Sequence, residues 1–382
     1  MRPAADNAGM HTLLIDTAAL DAEAWGQAVQ GGALPRLLRA LRMAHVATRE
    51  PLREDAQAAW LSPAERWMRR ALGLDEPEVQ AHEKTQGRPE FSRPPRGASS
   101  EQPGPGGSHE QQAPWGALAA AGAGLQPGAR AWALALPAHL VLGRDSLQLA
   151  DPAQLALDAQ HAQALLQAVL PLLQEASWDM HASHPGCWLV SHPSLEQVLT
   201  ADPLRAVGRN AASWMPGGPA AAPWRRLLTE IQMVWASHPV NEARRAAGLP
   251  EVNTLWLHGC GVLPTAPSNP FLLDESERAA WREAGCAWLG ALADGLPALS
   301  ASRHPHSLHV LQLRSHDALR APQACAELDE QAAGRLSAAL REHAAVRLVL
   351  AGSRSWVDLE LRASRSWHFW RDAAARGWLD PL

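Results

Sequence analysis

The densest set of residues able to do chemistry lies between positions 209 and 261. Arg209 and Asn210 precede a Pro216-Gly217-Gly218 turn. Arg225, Arg226, Thr229, Glu230 and Gln232 follow, then His238, Asn241, Arg244, Arg245 and Asn253, and last His258-Gly259-Cys260-Gly261. Arginine grips phosphate or carboxylate through paired N–H donors. A glycine loop after a strand can turn backbone N–H groups towards an anion. Arg209, His238, Asn241, Arg244, Asn253, Gly259 and Gly261 are therefore the candidate ligand-binding residues, and a small anionic metabolite is the candidate ligand.

A purely structural reading competes with this one. Gly259-Cys260-Gly261 is a lone Gly-x-Gly with no third glycine and no clear helix behind it, so a dinucleotide site is unsupported. Pro239 ends one helix, Gly248-Leu249-Pro250 ends the next, and Asn241 and Asn253 are suited to capping backbone groups. Other routes to catalysis are poorly provided for. There is no Gly-x-Ser-x-Gly elbow, and Ser315, His316 and Asp317 are consecutive, so they cannot face one another in a strand. No two of Cys187, Cys260, Cys286 and Cys325 form a Cys-x-x-Cys pair, and their spacings match no zinc pattern. They read as reduced, mostly buried thiols of a cytoplasmic protein.

The elements that must position these residues are legible from periodicity. HTLLID (11–16) reads as a short buried strand. Residues 34–44 and 63–72 read as amphipathic helices, the second with Ser62 as N-cap, Pro63 at the first helical position and Glu65 three after the cap. Residues 132–150 suggest two extended segments turned by LGRDS. A helix over 152–175 and a hairpin around His184-Pro185-Gly186 complete a compact α+β unit. The clearest helix covers 222–237, where Trp224, Leu227, Leu228, Ile231, Val234 and Trp235 fall at three-to-four spacing. Helices over 274–293 and 329–344 and strands over 307–313, 346–352 and 355–361 follow, the last two joined by a Gly352-Ser353-Arg354 hairpin. The pattern predicts a mixed α/β fold: a mixed central sheet flanked by helices. The expected division is an N-terminal α/β segment (1–82), a disordered linker (83–113), a small α+β unit (114–205) and a C-terminal α/β part (206–382). The linker is rich in Pro, Gly, Ser and charge and buries too little apolar surface to offset the entropy of ordering.

Composition bounds the partners. A net charge of −5 gives no basic face, so nucleic acid is not an expected partner. Lys84 is the only lysine and Ile15 and Ile231 the only isoleucines, a bias that reads as a GC-rich coding sequence and makes arginine enrichment a poor functional signal. The 17 tryptophans, with no tyrosine and three phenylalanines, carry the aromatic packing. No run of about 18 apolar residues exists, and the N-terminal MRPAADNAGMHTLLID lacks a signal-peptide core, so neither a membrane span nor export is expected.

The residues His238, Pro239, Val240, Asn241, Arg244, Gly248, Asn253, Leu255, Trp256, Leu257, Gly259 and Gly261 resemble a motif of the archaeal-type cofactor-independent phosphoglycerate mutases, members of the alkaline phosphatase superfamily. His258 stands where that family often has Trp. Trp224-Arg225-Arg226, Glu230-Ile231-Gln232-Met233 and Trp367-His368-Phe369-Trp370-Arg371 resemble a bacterial branch of RpfE-type regulatory proteins. Active members, the resemblance implies, carry two divalent metals and a serine that becomes phosphorylated. Their centre needs an Asp-Gly-type strand end and later Asp-x-x-x-His and Asp-His pairs. Here Asp16 is followed by Thr17, His309 has no Asp-x-x-x-His around it, and Ser315-His316-Asp317 reverses the Asp-His order. The expectation is a phosphoglycerate mutase-like protein without the two-metal centre, with no metal and no cofactor, that binds an anionic metabolite or a protein partner in a regulatory role. Two alternatives stay open: an active metal-dependent mutase or phosphohydrolase that groups Asp16, His309, His316 and Asp317, and a structural or interaction module without ligand.

Overall fold

A computed structural model describes residues 10–50, 59–74, 112–263, 267, 271, 273, 275–283, 286–299, 306–313 and 320–362. Nearly all of the expected linker, the Ser315-His316-Asp317 run and the 367–371 tail lie outside the described residues.

Strand β1 (His11–Asp16) is an interior strand of a five-stranded sheet. It is followed by α1 (Ala22–Gln30), α2 (Pro35–Leu41) and β2 (Ala44–Arg49). Residues 34–44 do not form one helix: α2 stops at Leu41, and Ala44 already belongs to an edge strand. Helix α3 (Pro63–Ala71) has the expected capping box, with Ser62 Oγ accepting the Glu65 N–H and Glu65 Oε2 accepting the Ser62 N–H. Helix α4 (Trp115–Gly122) precedes β3 (Trp132–Ala138), and β4 (Leu140–Leu142) and β5 (Leu147–Leu149) form a small hairpin. Helix α5 (Ala159–Glu175) is shorter than the periodicity suggests. Residues Pro152–Gln154 make a 3-10 turn, and Asp158 caps the helix by accepting the His161 N–H. Strands β6 (Asp179–His184) and β7 (Cys187–Ser191) form the expected hairpin.

Helices α6 (Ala222–Ala236) and α7 (Pro239–Ala246) break at His238 and lead into β8 (Thr254–Gly261). The helix expected over 274–293 is two helices, α8 (Glu275–Glu283) and α9 (Ala287–Leu299). After β9 (Ser307–Gln312), α10 (Ala321–Glu342) starts earlier than its strongest periodic stretch, with Pro322 in its first turn. Strands β10 (Ala345–Ala351) and β11 (Trp356–Arg362) close the described chain through a turn in which the Gly352 N–H donates to Ser355 O.

The five-stranded sheet has the order β2-β11-β10-β1-β9. Strand β1 is parallel to β9 and β10, and β11 is antiparallel to both its neighbours, so the sheet is mixed. The second sheet, β6-β7-β3-β8, is antiparallel. Neither sheet is contiguous in sequence. The first takes strands from residues 11–49 and 307–362, and the second adds β8 to three strands from residues 132–191.

Alternation along β1 sends Leu13 and Ile15 to one face and Leu14 to the other. Leu13 and Ile15 pack with α1, α2 and α10. Leu14 joins a core shared with α3, α4, α9 and the inner face of the second sheet, including Leu134, Leu136 and Trp256. The outer face of that sheet, with Ala133, Ala135, Leu255 and Leu257, packs on α5 and α6. Helix α4 is thus held between the second sheet and α9. The fit requires Gly116, because a Cβ there would lie 2.4 Å from the Ala133 backbone. Among the described residues no helix is long and apolar enough to cross a membrane.

One polar contact locks the outer helical layer. Asp329 on α10 is 2% exposed, and its two carboxylate oxygens accept the N–H groups of Arg36 and Leu37 at 3.1 and 2.7 Å. These are the orphan donors at the start of α2, where Leu34 offers no side-chain cap. Asp329→Ala therefore strands one buried and one part-buried donor and is expected to lower stability by about 2 kcal/mol. A urea midpoint unchanged from wild type would refute this assignment.

Candidate functional site

The residues expected to bind an anion turn most of their donors and acceptors inward. Asn241 on α7 is fully buried. Its Nδ2 donates to Trp235 O (2.9 Å) and Val252 O (2.8 Å), while its Oδ1 accepts the Val252 N–H (2.9 Å). Arg244 is 1% exposed and donates to Pro250 O at 2.7 Å and to Leu155 O. Burial holds its pKa below the ordinary arginine value, with Asp158 acting the other way. Asn253 clamps the start of β4, its Oδ1 accepting from Leu140 N and its Nδ2 donating to Leu140 O, both at 2.8 Å. His238 caps α7 by accepting the Val240 N–H at its Nδ1. Together these side chains fasten the α6–α7 corner to the loop before β8 and to β4.

The glycine loop expected at 259–261 is instead the last turn of β8 itself. Gly259 has φ of +64°, and a Cβ there would lie 2.7 Å from Trp115 Cβ. Gly261 has φ of +149° beside Pro114. The ladder with β3 shifts register at this point. The two glycines thus let the strand bend against α4. Arg209 is separate from the clasp: it is half-buried, donates to Arg205 O at 3.3 Å and feels the charge of Asp21, the N-cap of α1.

A different constellation gathers at the carboxyl ends of β1 and β9, the end of a parallel array where α/β proteins place their sites. Asp16 ends β1 opposite Gln312 of β9. Its Oδ1 accepts the Ala18 N–H at 3.0 Å and its Oδ2 accepts from Gln312 Nε2 at 3.3 Å. Glu65 comes from the first turn of α3, Asp202 from the loop after β7, His258 from β8 and Cys286 from the start of α9. All four are buried, Glu65 and His258 completely.

His258 Nε2 lies 3.1 Å from Glu65 Oε1 and 4.0 Å from Asp202 Oδ2. Its contact with Glu65 is at ion-pair distance but off the line of an aligned hydrogen bond, and its Nδ1 has no hydrogen-bond partner among the described residues. Glu65 Oε1 also accepts from Trp115 Nε1 at 2.9 Å. Asp202 Oδ1 accepts the Leu204 N–H at 2.7 Å, and the Cys286 thiol points at Oδ2 from 3.7 Å. The Gln312 amide is 3.4 Å from the Cys286 sulfur.

The electrostatics follow from burial and one imidazole. Burial alone would raise Glu65, but the His258 charge, the Ser62 N–H and the Trp115 indole outweigh it and hold the carboxyl below its ordinary value. Burial would lower His258, and the two carboxylates reverse that, so the imidazole is held in its charged form above its ordinary pKa. Asp202 is raised, first by burial and then by Glu65, despite His258. Asp16 is pushed up to about 6 by burial, with Asp202 and Glu65 adding to it against its two hydrogen bonds. Burial lifts Cys286 well above the ordinary thiol value, and Cys187 and Cys260 to about 12, so these thiols stay protonated. All four cysteines are free.

Periodicity alone did not single out this centre. Glu65 reads from sequence as a capping residue only, and Asp202 carries no signal that sets it apart. The usable signal was His258, because an imidazole inside an apolar strand must find a partner. Among the described residues no group of three or more His, Cys, Asp or Glu side chains is disposed to hold a metal ion. The carboxylates do not fit a metal pair: both oxygens of Glu65 and of Asp16 accept from chain donors, and Asp202 accepts the Leu204 N–H at one oxygen and faces the Cys286 thiol at the other. His309 does not join Asp16. It lies opposite Leu13, further back along β9, and contacts Glu277 and Arg335.

Two measurements check these assignments. Asn241→Ala strands the Trp235 and Val252 carbonyls and the Val252 N–H, and is expected to cost about 3 kcal/mol in chemical unfolding; a loss below about 0.5 kcal/mol contradicts the clasp. His258→Gln leaves Glu65 ionised and unpaired and is expected to cost about 3–5 kcal/mol, with much of that recovered in the Glu65→Gln/His258→Gln double variant. Because the folded pKa of His258 is raised, its contribution is complete below 6.5 and lost as pH rises through the folded value. The wild type should therefore lose stability on that alkaline limb, and the double variant should not.

No family model matches the chain, and no curated protein matches it. Among solved structures it is similar to the cofactor-independent phosphoglycerate mutase from Thermoplasma acidophilum DSM 1728, with a TM-score of 0.36 and 14% identity over 93% of this chain and 90% of that one. It is also similar to the PH0037 protein from Pyrococcus horikoshii, with a TM-score of 0.45 and 12% identity over 93% of this chain and 88% of that one.

Proposed function

We propose that this chain is a phosphoglycerate mutase-like protein that works by binding rather than by turnover, in a regulatory role. The observation that carries the reading is the environment of His258. Several buried carboxyls at one end of the parallel strands of the mixed sheet cannot all ionise without a positive partner. Here the partner is supplied from within the chain, by an imidazole at the position where the resembled motif often has Trp. Glu65, which could otherwise serve as acid, base or ligand, spends its oxygens on His258, Trp115 and Ser62. Sealed and internally neutralised, the centre works as a structural joint between the two sheets.

What the protein binds follows from the groups left near that end. Arg209 is half-buried, faces Asp21, and has guanidinium nitrogens beyond the one that reaches Arg205 O. A small phosphorylated acid is the ligand class that suits it. Two experiments test the reading. Purified protein supplied with manganese or zinc should not interconvert 2- and 3-phosphoglycerate, and turnover above the uncatalysed rate would overturn it. In calorimetry 3-phosphoglycerate should bind wild type and lose about tenfold in affinity to Arg209→Ala. Equal heats from both proteins would remove the metabolite and leave a protein partner as the bound species.

A further inference from the structure

A second polar cluster lies at the opposite, amino ends of β1 and β9. His11 begins β1, and its Nδ1 is 2.7 Å from Ser307 Oγ of β9. The His11 ring is 4.7 Å from that of His309 and 5.2 Å from that of His343, stacked on the latter at an interplanar angle of 17°. The Met10 N–H donates to His306 Nδ1 at 3.1 Å, a bond that only an unprotonated Nδ1 can accept. From α8, Glu277 contacts His309. From α10, Arg335 Nη1 donates to Glu277 Oε1 at 2.8 Å and stands 2.9 Å from His309 Nδ1. Glu342, also on α10, is the remaining carboxylate acting on His11.

Among the described residues, four imidazoles and a guanidinium thus share one buried carboxylate, Glu277, and one exposed one, Glu342. Neutral rings stack at no Coulombic cost. Each added proton sets a cation beside other cations at about 5 Å, where repulsion is only partly screened. Contact between His309 Nδ1, Glu277 and Arg335 serves two proton states: a neutral Nδ1 accepts from Arg335, and a protonated one donates to Glu277. His306 has no such second use, since protonation ends its bond to Met10.

Position gives the cluster mechanical weight. Among the described residues strand β9 is an edge of the five-stranded sheet, paired with β1 alone. Helix α8 belongs to the core on one face and α10 to the core on the other, through Trp281 and Leu336 respectively. Glu277 and Arg335 therefore close a seam around the edge strand, with His309 in contact with both.

We propose that this cluster is a proton-sensitive clasp, which releases the amino ends of β1 and β9 when weakly acidic conditions load it with charge. The direction follows from His11. Burial, then His309 and His343, lower it from 6.5 to about 4, against the pull of Glu342. An open form takes up the proton from 6.5 downward and the closed form only near 4. Stability of the closed form is therefore complete above 6.5 and lost as pH falls towards 4.

Hydrogen–deuterium exchange on the full chain tests the clasp. After correction for intrinsic rates, the opening constant of peptides covering 10–16 and 306–313 should rise about tenfold between about pH 7.5 and about pH 5. Peptides covering 132–138 and 187–191, in the other sheet, should not follow. His11→Gln and His343→Gln should each keep the neutral-pH protection and reduce the acid rise several-fold. If His11→Gln disturbs the fold at neutral pH, His343→Gln carries the same expectation. An acid rise of equal size in wild type and His343→Gln, or no rise in wild type, overturns the proposal.

Discussion

One buried ion pair organises this molecule. Glu65 and His258 come from different layers, the first from a helix packed on the mixed sheet and the second from the last strand of the antiparallel sheet, and they meet with no solvent exposure. Neither charge would be tolerable alone. Burial works against the ionised form of each, and only their mutual attraction, with the Trp115 indole and the Ser62 N–H, reverses the balance. The pair therefore requires the two sheets to sit in one relation. A shift large enough to part Nε2 from Oε1 would strand both groups.

The rest of the interface between the sheets conforms to that constraint. Helix α4 packs between the second sheet and α9, and Gly116 and Gly259 are the positions where its backbone and that sheet must approach more closely than a side chain permits. Trp115, at the start of the same helix, touches the pair directly through its indole and stacks on Trp288 with ring centroids 5.9 Å apart. Packing and charge thus meet in one residue. The capping box of α3 is part of the same arrangement, because the carboxylate that caps the helix is also the one that holds the imidazole.

Two ends of the central parallel strands carry opposite electrostatic characters. At the carboxyl end several acids surround one imidazole, and at the amino end several imidazoles surround a buried acid. In both places burial works against the charged form: Asp16 is pushed up to about 6 and His11 down to about 4. The first shift makes acid favourable to the fold and the second makes it unfavourable, so the two ends respond to protons in opposite senses.

Local patterning determined much of the architecture. The run HTLLID announced β1, Ser62-Pro63-Ala64-Glu65 announced the start of α3, and the spacing of Trp224, Leu227, Leu228 and Ile231 announced α6, because each of these depends on neighbours within a turn or a strand. The mixed character of the sheet followed from the same signals. Asn241, Arg244 and Asn253 were visible as a polar group, yet sequence could not say which way they face, because a buried amide that serves the backbone and an exposed one that serves a ligand leave the same mark. Glu65 and His258 were legible singly, Asp202 was not singled out, and nothing in the sequence joined the three. Their meeting depends on β8 pairing with β3 and on α3 packing between the sheets, contacts between segments far apart in the chain. Side-chain type fixes what each group can do. Only tertiary structure decides that these three share a dry space, where a charge must be paired or given up.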